Sequence, residues 1–110
     1  MGFSAGGGVT MAVTLHHDAP SRPDFAAPIY AAHFGEVIVP DDAPPIFLAH
    51  ASDDPLIPAR ISTTIYAAWH AAGKPVELHI YEKGGHGFGM NKLGLPVDGW
   101  IERFGEWLGV

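Results

Sequence analysis

Cysteine is absent from all 110 residues, which excludes a disulfide framework, a thiol nucleophile and thiolate metal sites while leaving the redox compartment open. Positive charge is scarce. Six Lys and Arg face twelve Asp and Glu, for a formal charge of −6 with no basic run, and this argues against a nucleic-acid backbone as partner. No apolar run approaches the ~18 residues of a membrane span, and Met1 to Gly8 has neither the basic region nor the long apolar stretch of a signal peptide. No membrane partner is expected. The default compartment is the cytoplasm, and an N-terminal signal, if the protein has one, would lie outside this chain.

What is there fits one globular domain spanning residues 1–110, with 47% hydrophobic and 16% charged residues. A chain of this size buries roughly two thirds of the surface its unfolded form exposes, so it folds with little stability to spare.

Apolar periodicity predicts a helix from Ala5 to about Leu15, carrying Val9, Ala12, Val13 and Leu15, despite glycines at 6, 7 and 8 that cost roughly 1 kcal/mol each relative to alanine. His16, His17 and Asp18 close it. The two histidines suit a helix C-terminus electrostatically, and a metal pair there is the minor alternative. Phe25 to Ala32 reads as a short strand that Pro28 pushes toward an edge or a bulge. His33 to Pro45 reads as a loop with Glu36 to Val39 extended. Ile46 to Ala51 is an unbroken apolar run, the pattern of a strand covered on both faces. After the turn Ser52 to Pro58, residues Ile61, Ile65, Ala68, Trp69 and Ala72 fall on one face of a helix from Ala59 to Ala72, which Gly73 stops. Val76 to Tyr81 alternates as a strand with one face better buried, Glu82 to Met90 is a glycine-rich loop, and a helix from Pro96 ends near Gly109. Strands joined through helices imply parallel pairing and the α/β class.

Three chemistry-bearing stretches punctuate this order. Gly2-Phe3-Ser4-Ala5-Gly6 matches GxSxG, in which small neighbours let a strand and a helix meet at a strained serine. Asp53 and Asp54 follow the strand Ile46 to Ala51, and His86 follows the strand Val76 to Tyr81, so all three stretches lie where ligands gather in parallel sheets. Each has a plainer reading: an anion-binding helix entry for Gly2 to Gly8, turn and capping residues for the two aspartates, and a surface loop for His86. His33, His50, His70 and His79 read as packing or surface residues.

Taken together, GFSAGG, HASDDPLIP and YEKGGHGFGM make the chain resemble the C-terminal half of an α/β hydrolase, most similar to acetyl-xylan-esterase, feruloyl-esterase-like and prolyl-oligopeptidase-type serine hydrolases. The resemblance covers nearly the whole chain. It implies a partial α/β-hydrolase fold, a small parallel sheet flanked by helices, with Ser4 as nucleophile, His86 as base and Asp54 as acid. Asp54 is preferred to Asp53 because of the spacing between Asp and Pro in the pattern of the resembled family, as in Asp54-Pro55-Leu56-Ile57-Pro58. The Ala5 backbone N–H is the expected oxyanion donor. No cofactor or metal is implied.

The resemblance also implies earlier strands and an HGGG-like loop supplying a second oxyanion donor, neither of which is encoded here. The expected activity is therefore slow hydrolysis of small short-acyl esters. A non-catalytic remnant that associates with partners is the alternative, and a peptidase-like hydrolase the third. A homo-oligomer is expected, because a sheet lacking its preceding strands exposes an edge. Phe3, Phe88, Met90 and Trp100 are candidates both for an acyl pocket and for the core.

Overall fold

The computed structural model describes residues 1–110 as four strands and three α-helices: β1 (Gly2–Phe3), α1 (Ala5–His16), β2 (Pro28–Ile29), β3 (Ile46–Ala51), α2 (Arg60–Ala71), β4 (Val76–Tyr81) and α3 (Trp100–Leu108). The strands form one parallel sheet in the order β1-β2-β3-β4. Short 3-10 turns at Ala19–Ser21 and Pro96–Gly99 complete the regular structure. No helix is long and apolar enough to cross a membrane.

β3 is buried at every position, as its unbroken apolar run predicts. Its alternate side chains feed two cores. Phe47, Ala49 and Ala51 join Ile29, Trp100 and Phe104 on the α3 side, whereas Ile46 and Leu48 join Met11, Ile65 and Trp69 beneath α1 and α2. The indole of Trp69 also donates to the Pro44 carbonyl (2.9 Å), fastening α2 to the entry of β3.

Two expectations change. The strand foreseen over Phe25 to Ala32 shrinks to Pro28–Ile29 plus a bridge at Ala26, and it lies inside the sheet rather than at an edge. Pro28 is tolerated there because amides on either side carry the ladder: Ala26 N–H reaches the Pro45 carbonyl and Tyr30 N–H the Ala49 carbonyl, both at 2.9 Å. Tyr30, with φ 36°, then ends the extended conformation.

On α1 the buried residues are Gly7, Met11 and Thr14, while Val9 and Val13 are exposed. Glycine sets that orientation. A Cβ on Gly7 would sit 2.8 Å from the Ala31 Cα, and one on Gly8 would sit 2.5 Å from the Ala32 carbonyl oxygen, so the helix lies closer to the chain after β2 than any larger residue permits. Glu36 to Val39 lies in a loop, as expected, with Val37 and Val39 packing against the core under α2.

Candidate active site

β1 has only two residues, yet it does what an elbow needs. Ser4 follows it directly, with φ 53° and ψ −116°, and α1 begins at the next residue. This non-glycine positive φ is held at both backbone polar groups: Ser4 N–H donates to the Ile29 carbonyl (3.0 Å), and the Ser4 carbonyl accepts from Gly8 (3.1 Å) and Ala32 (2.9 Å). Such a conformation costs about 1–3 kcal/mol and persists only when its surroundings fix it. Gly2 allows the fold-back, since a Cβ there would lie 2.1 Å from the Gly6 carbonyl oxygen. Gly6 has no such constraint, and its Cβ position meets nothing within 4 Å.

Loops after β3 and β4 bring the other two residues to this serine. Ser4 Oγ lies 2.8 Å from His86 Nε2, and His86 Nδ1 lies 2.9 Å from Asp54 Oδ2. All three are therefore joined in one line. An ionised carboxylate only accepts, so Nδ1 carries the proton and Nε2 is left to face the hydroxyl. The Asp54 side chain is fully buried, and its other oxygen accepts the amides of Leu56 and Ile57, each at 2.9 Å. Burial pushes this carboxyl upward, but hydrogen bonds from the Ile57 amide, the His86 ring and the Leu56 amide outweigh it and hold the pKa below the usual carboxylate range.

The two aspartates have separate contacts. Asp54 meets His86, whereas Asp53 Oδ1 accepts the amides of Gly84 (2.9 Å) and Gly85 (2.8 Å) and so clamps the loop that carries the histidine. That loop turns through positive φ at Gly85, Gly87 and Gly89. The Trp100 indole anchors its far end on the Gly89 carbonyl (2.7 Å). The Ala5 N–H, at the first position of α1, makes no hydrogen bond within the chain.

Two neighbours escaped the sequence reading. Tyr30 sets its ring edge-on to His86, with centroids 5.2 Å apart, and packs on Phe88; burial pushes its phenol above the ordinary value. Its only signal was a place at the end of a strand that was itself misjudged in length. His50 is wholly buried beside Asp54, and its signal was the four-residue spacing to that aspartate.

Of the four candidate pocket residues, Phe88 and Trp100 belong to the core, Phe3 packs on Tyr30 and Trp100, and Met90 is exposed. None of the three surface cavities is lined by Ser4, Asp54 or His86. His16 and His17 form no metal cluster; His17 instead bonds the Thr14 carbonyl and Asp42, each at 2.9 Å.

Comparison with solved structures finds the same fold in larger proteins. The chain superposes with a TM-score of 0.84 and 28% identity on MGS-M1, an α/β hydrolase from a Medee basin deep-sea metagenome library, covering 97% of this chain and 51% of that one. An acetyl ester-xyloside bifunctional hydrolase from Caldicellulosiruptor lactoaceticus gives 0.78 and 29%, covering 98% and 55%. The carboxylesterase Cest-2923 from Lactobacillus plantarum, at 17% identity and a TM-score of 0.79, shares the fold over 98% of this chain and 56% of its own. The chain thus spans about half the length of these structural relatives. Comparison with curated proteins finds no match. The Dienelactone hydrolase family matches residues 1–98, nearly the whole chain including Ser4, Asp54 and His86, and the chain belongs to that family of α/β hydrolases.

Proposed function

We propose that the chain is a serine hydrolase of small, short-acyl carboxylic esters, acting through Ser4, His86 and Asp54. The observation that carries this reading is the continuous line from Ser4 Oγ through His86 to Asp54, at 2.8 and 2.9 Å. In the reaction, His86 Nε2 takes the hydroxyl proton as Oγ attacks the ester carbonyl, and Asp54 stabilises the imidazolium that forms. His86 then returns the proton to the departing alkoxide, leaving an acyl-Ser4. Water, deprotonated by the same nitrogen, releases the acid and restores the serine.

The Ala5 N–H stabilises the tetrahedral oxyanion. One such donor is typically worth ~10²–10³ in turnover, and activated esters, which need the least oxyanion stabilisation, are favoured. Amide hydrolysis, the more demanding reaction, ranks below ester hydrolysis. The reading extends to assembly, with a second copy of the chain covering the free edge of β1.

Hydrolysis of p-nitrophenyl acetate by the purified chain and by Ser4→Ala tests the proposal. A rate that falls to background in the variant is expected. Equal rates overturn the reading in favour of an associating, non-catalytic domain.

A further inference from the structure

His50 is the second histidine at Asp54, and nothing in the line from Ser4 to Asp54 uses it. It lies on β3, with its side chain facing α2 and excluded from solvent. Its Nε2 is 2.8 Å from the Ile57 carbonyl oxygen and 3.3 Å from Asp54 Oδ2; its Nδ1 is 2.7 Å from the hydroxyl of Ser62 on α2. A carbonyl and a carboxylate both only accept, so the proton on this ring sits at Nε2, where it donates to Ile57 and also faces the aspartate. The Ser62 hydroxyl then donates to Nδ1 and selects that tautomer.

Ile57 is the pivot of this arrangement. Its carbonyl accepts from His50, and its amide donates to Asp54 Oδ1. The turn that presents the acid is thus held from the β3 side by one ring, which a hydroxyl on α2 holds in turn. Asp54 Oδ2 keeps its direction toward His86 because its other surroundings are fixed.

We propose that His50 and Ser62 are positioning residues for the acid, a buried extension running Ser62 to His50 to the Asp54 turn and on to His86. The inference rests on the hydrolase reading for its catalytic meaning, though not for its geometry. Without the His50 donor, the buried Ile57 carbonyl loses its partner and the turn relaxes, and misplacement of a catalytic group by about 1 Å can cost ~10²-fold in rate.

The test uses the whole chain with ¹⁵N-labelled histidines, comparing the wild type, His50→Gln, His50→Leu and Ser62→Ala. Glutamine places an amide nitrogen where the imidazole has Nε2; leucine fills similar space with no donor. In the wild type, His50 is expected as the neutral Nε2–H tautomer, and His86 is expected to show a slowly exchanging Nδ1–H proton shifted downfield by the carboxylate. That His86 signal should survive in His50→Gln and be lost in a folded His50→Leu, with kcat on the acetate ester reduced about ten- to a hundredfold in the leucine variant and KM unchanged. A folded leucine variant that keeps the His86 signal overturns the proposal, as does its equal loss in the glutamine and leucine variants. Should His50→Leu fail to fold, Ser62→Ala decides: a mixed His50 tautomer with a weakened His86 signal supports the proposal, and an unchanged spectrum overturns it. A wild type without esterase activity sinks the hydrolase reading alone, since the ring signals are read without turnover.

Discussion

At the scale of the residue, Ser4 carries its hydroxyl in a backbone conformation that its own Cβ resists, with φ 53° and ψ −116°. Glycine has no Cβ and enters positive φ without that cost. Replacing Ser4 by glycine or alanine removes the hydroxyl contact to His86 in both cases, so the two variants differ mainly in strain. The glycine variant is expected to be more stable than the alanine variant by about 1–2 kcal/mol, read as the urea midpoint at unchanged slope. An alanine variant equal to or more stable than the glycine one would mean that the elbow stores no strain. The serine, the histidine and the aspartate that meet in the structure were legible because each belongs to a pattern: GxSxG, a glycine-rich loop after a strand and, for Asp54 over Asp53, the spacing of acid and proline in the resembled family. Tyr30 and His50 were not, since a single aromatic or imidazole in an apolar run reads as core until the neighbours it meets across the sheet are known.

At the scale of the element, β3, β4 and α2 were legible to within a residue, because unbroken or periodic apolar runs bounded by Pro and Gly leave little freedom. β2 was not. Its two residues are held by hydrogen bonds to β1 and β3, a tertiary cause that local composition does not record. The buried stripe of α1 was misjudged for a related reason: Gly7, Met11 and Thr14, not the valines, face inward, and hydropathy undervalues a residue such as Gly7 whose merit is having no side chain. This ordering gives a paired prediction. Gly7→Ala drives a methyl to within 2.9 Å of Ala31 Cα and Cβ, so it is expected to destabilise by about 1–3 kcal/mol through overpacking. Gly6→Ala, which meets nothing within 4 Å, is expected to stabilise the isolated chain by up to about 1 kcal/mol through helix propensity. Thermal melts of the two variants check this, and the same shift in both would show that α1 is not seated on the chain after β2.

At the scale of the whole molecule, Gly6 and the exposed Val9 and Val13 lie together along one groove. β1 is paired on one side only, and beside it runs a groove of about 430 Å³ lined by Met1, Gly6, Val9, Val13 and Phe25 among others. Met1 is 59%, Val9 64% and Val13 50% exposed, an apolar stripe on a chain that spans about half of its structural relatives. No charged side chain lines the groove. Two copies can therefore meet there across a two-fold axis without apposing carboxylates, despite a formal charge of −6 on each. A closed pair also removes the free strand edge as a template for further association. Sedimentation equilibrium at micromolar concentration is expected to give a mass about twice 11.7 kDa. Val9→Glu with Val13→Glu, which places four carboxylates in the apposed grooves, should give a folded monomer with an unchanged far-UV spectrum. If the pair also brings a backbone donor toward Ser4, the double variant loses ester hydrolysis along with the dimer, whereas activity retained by the monomer would assign oxyanion stabilisation to the Ala5 N–H alone. A wild-type chain that sediments as a stable, well-folded monomer overturns the assembly.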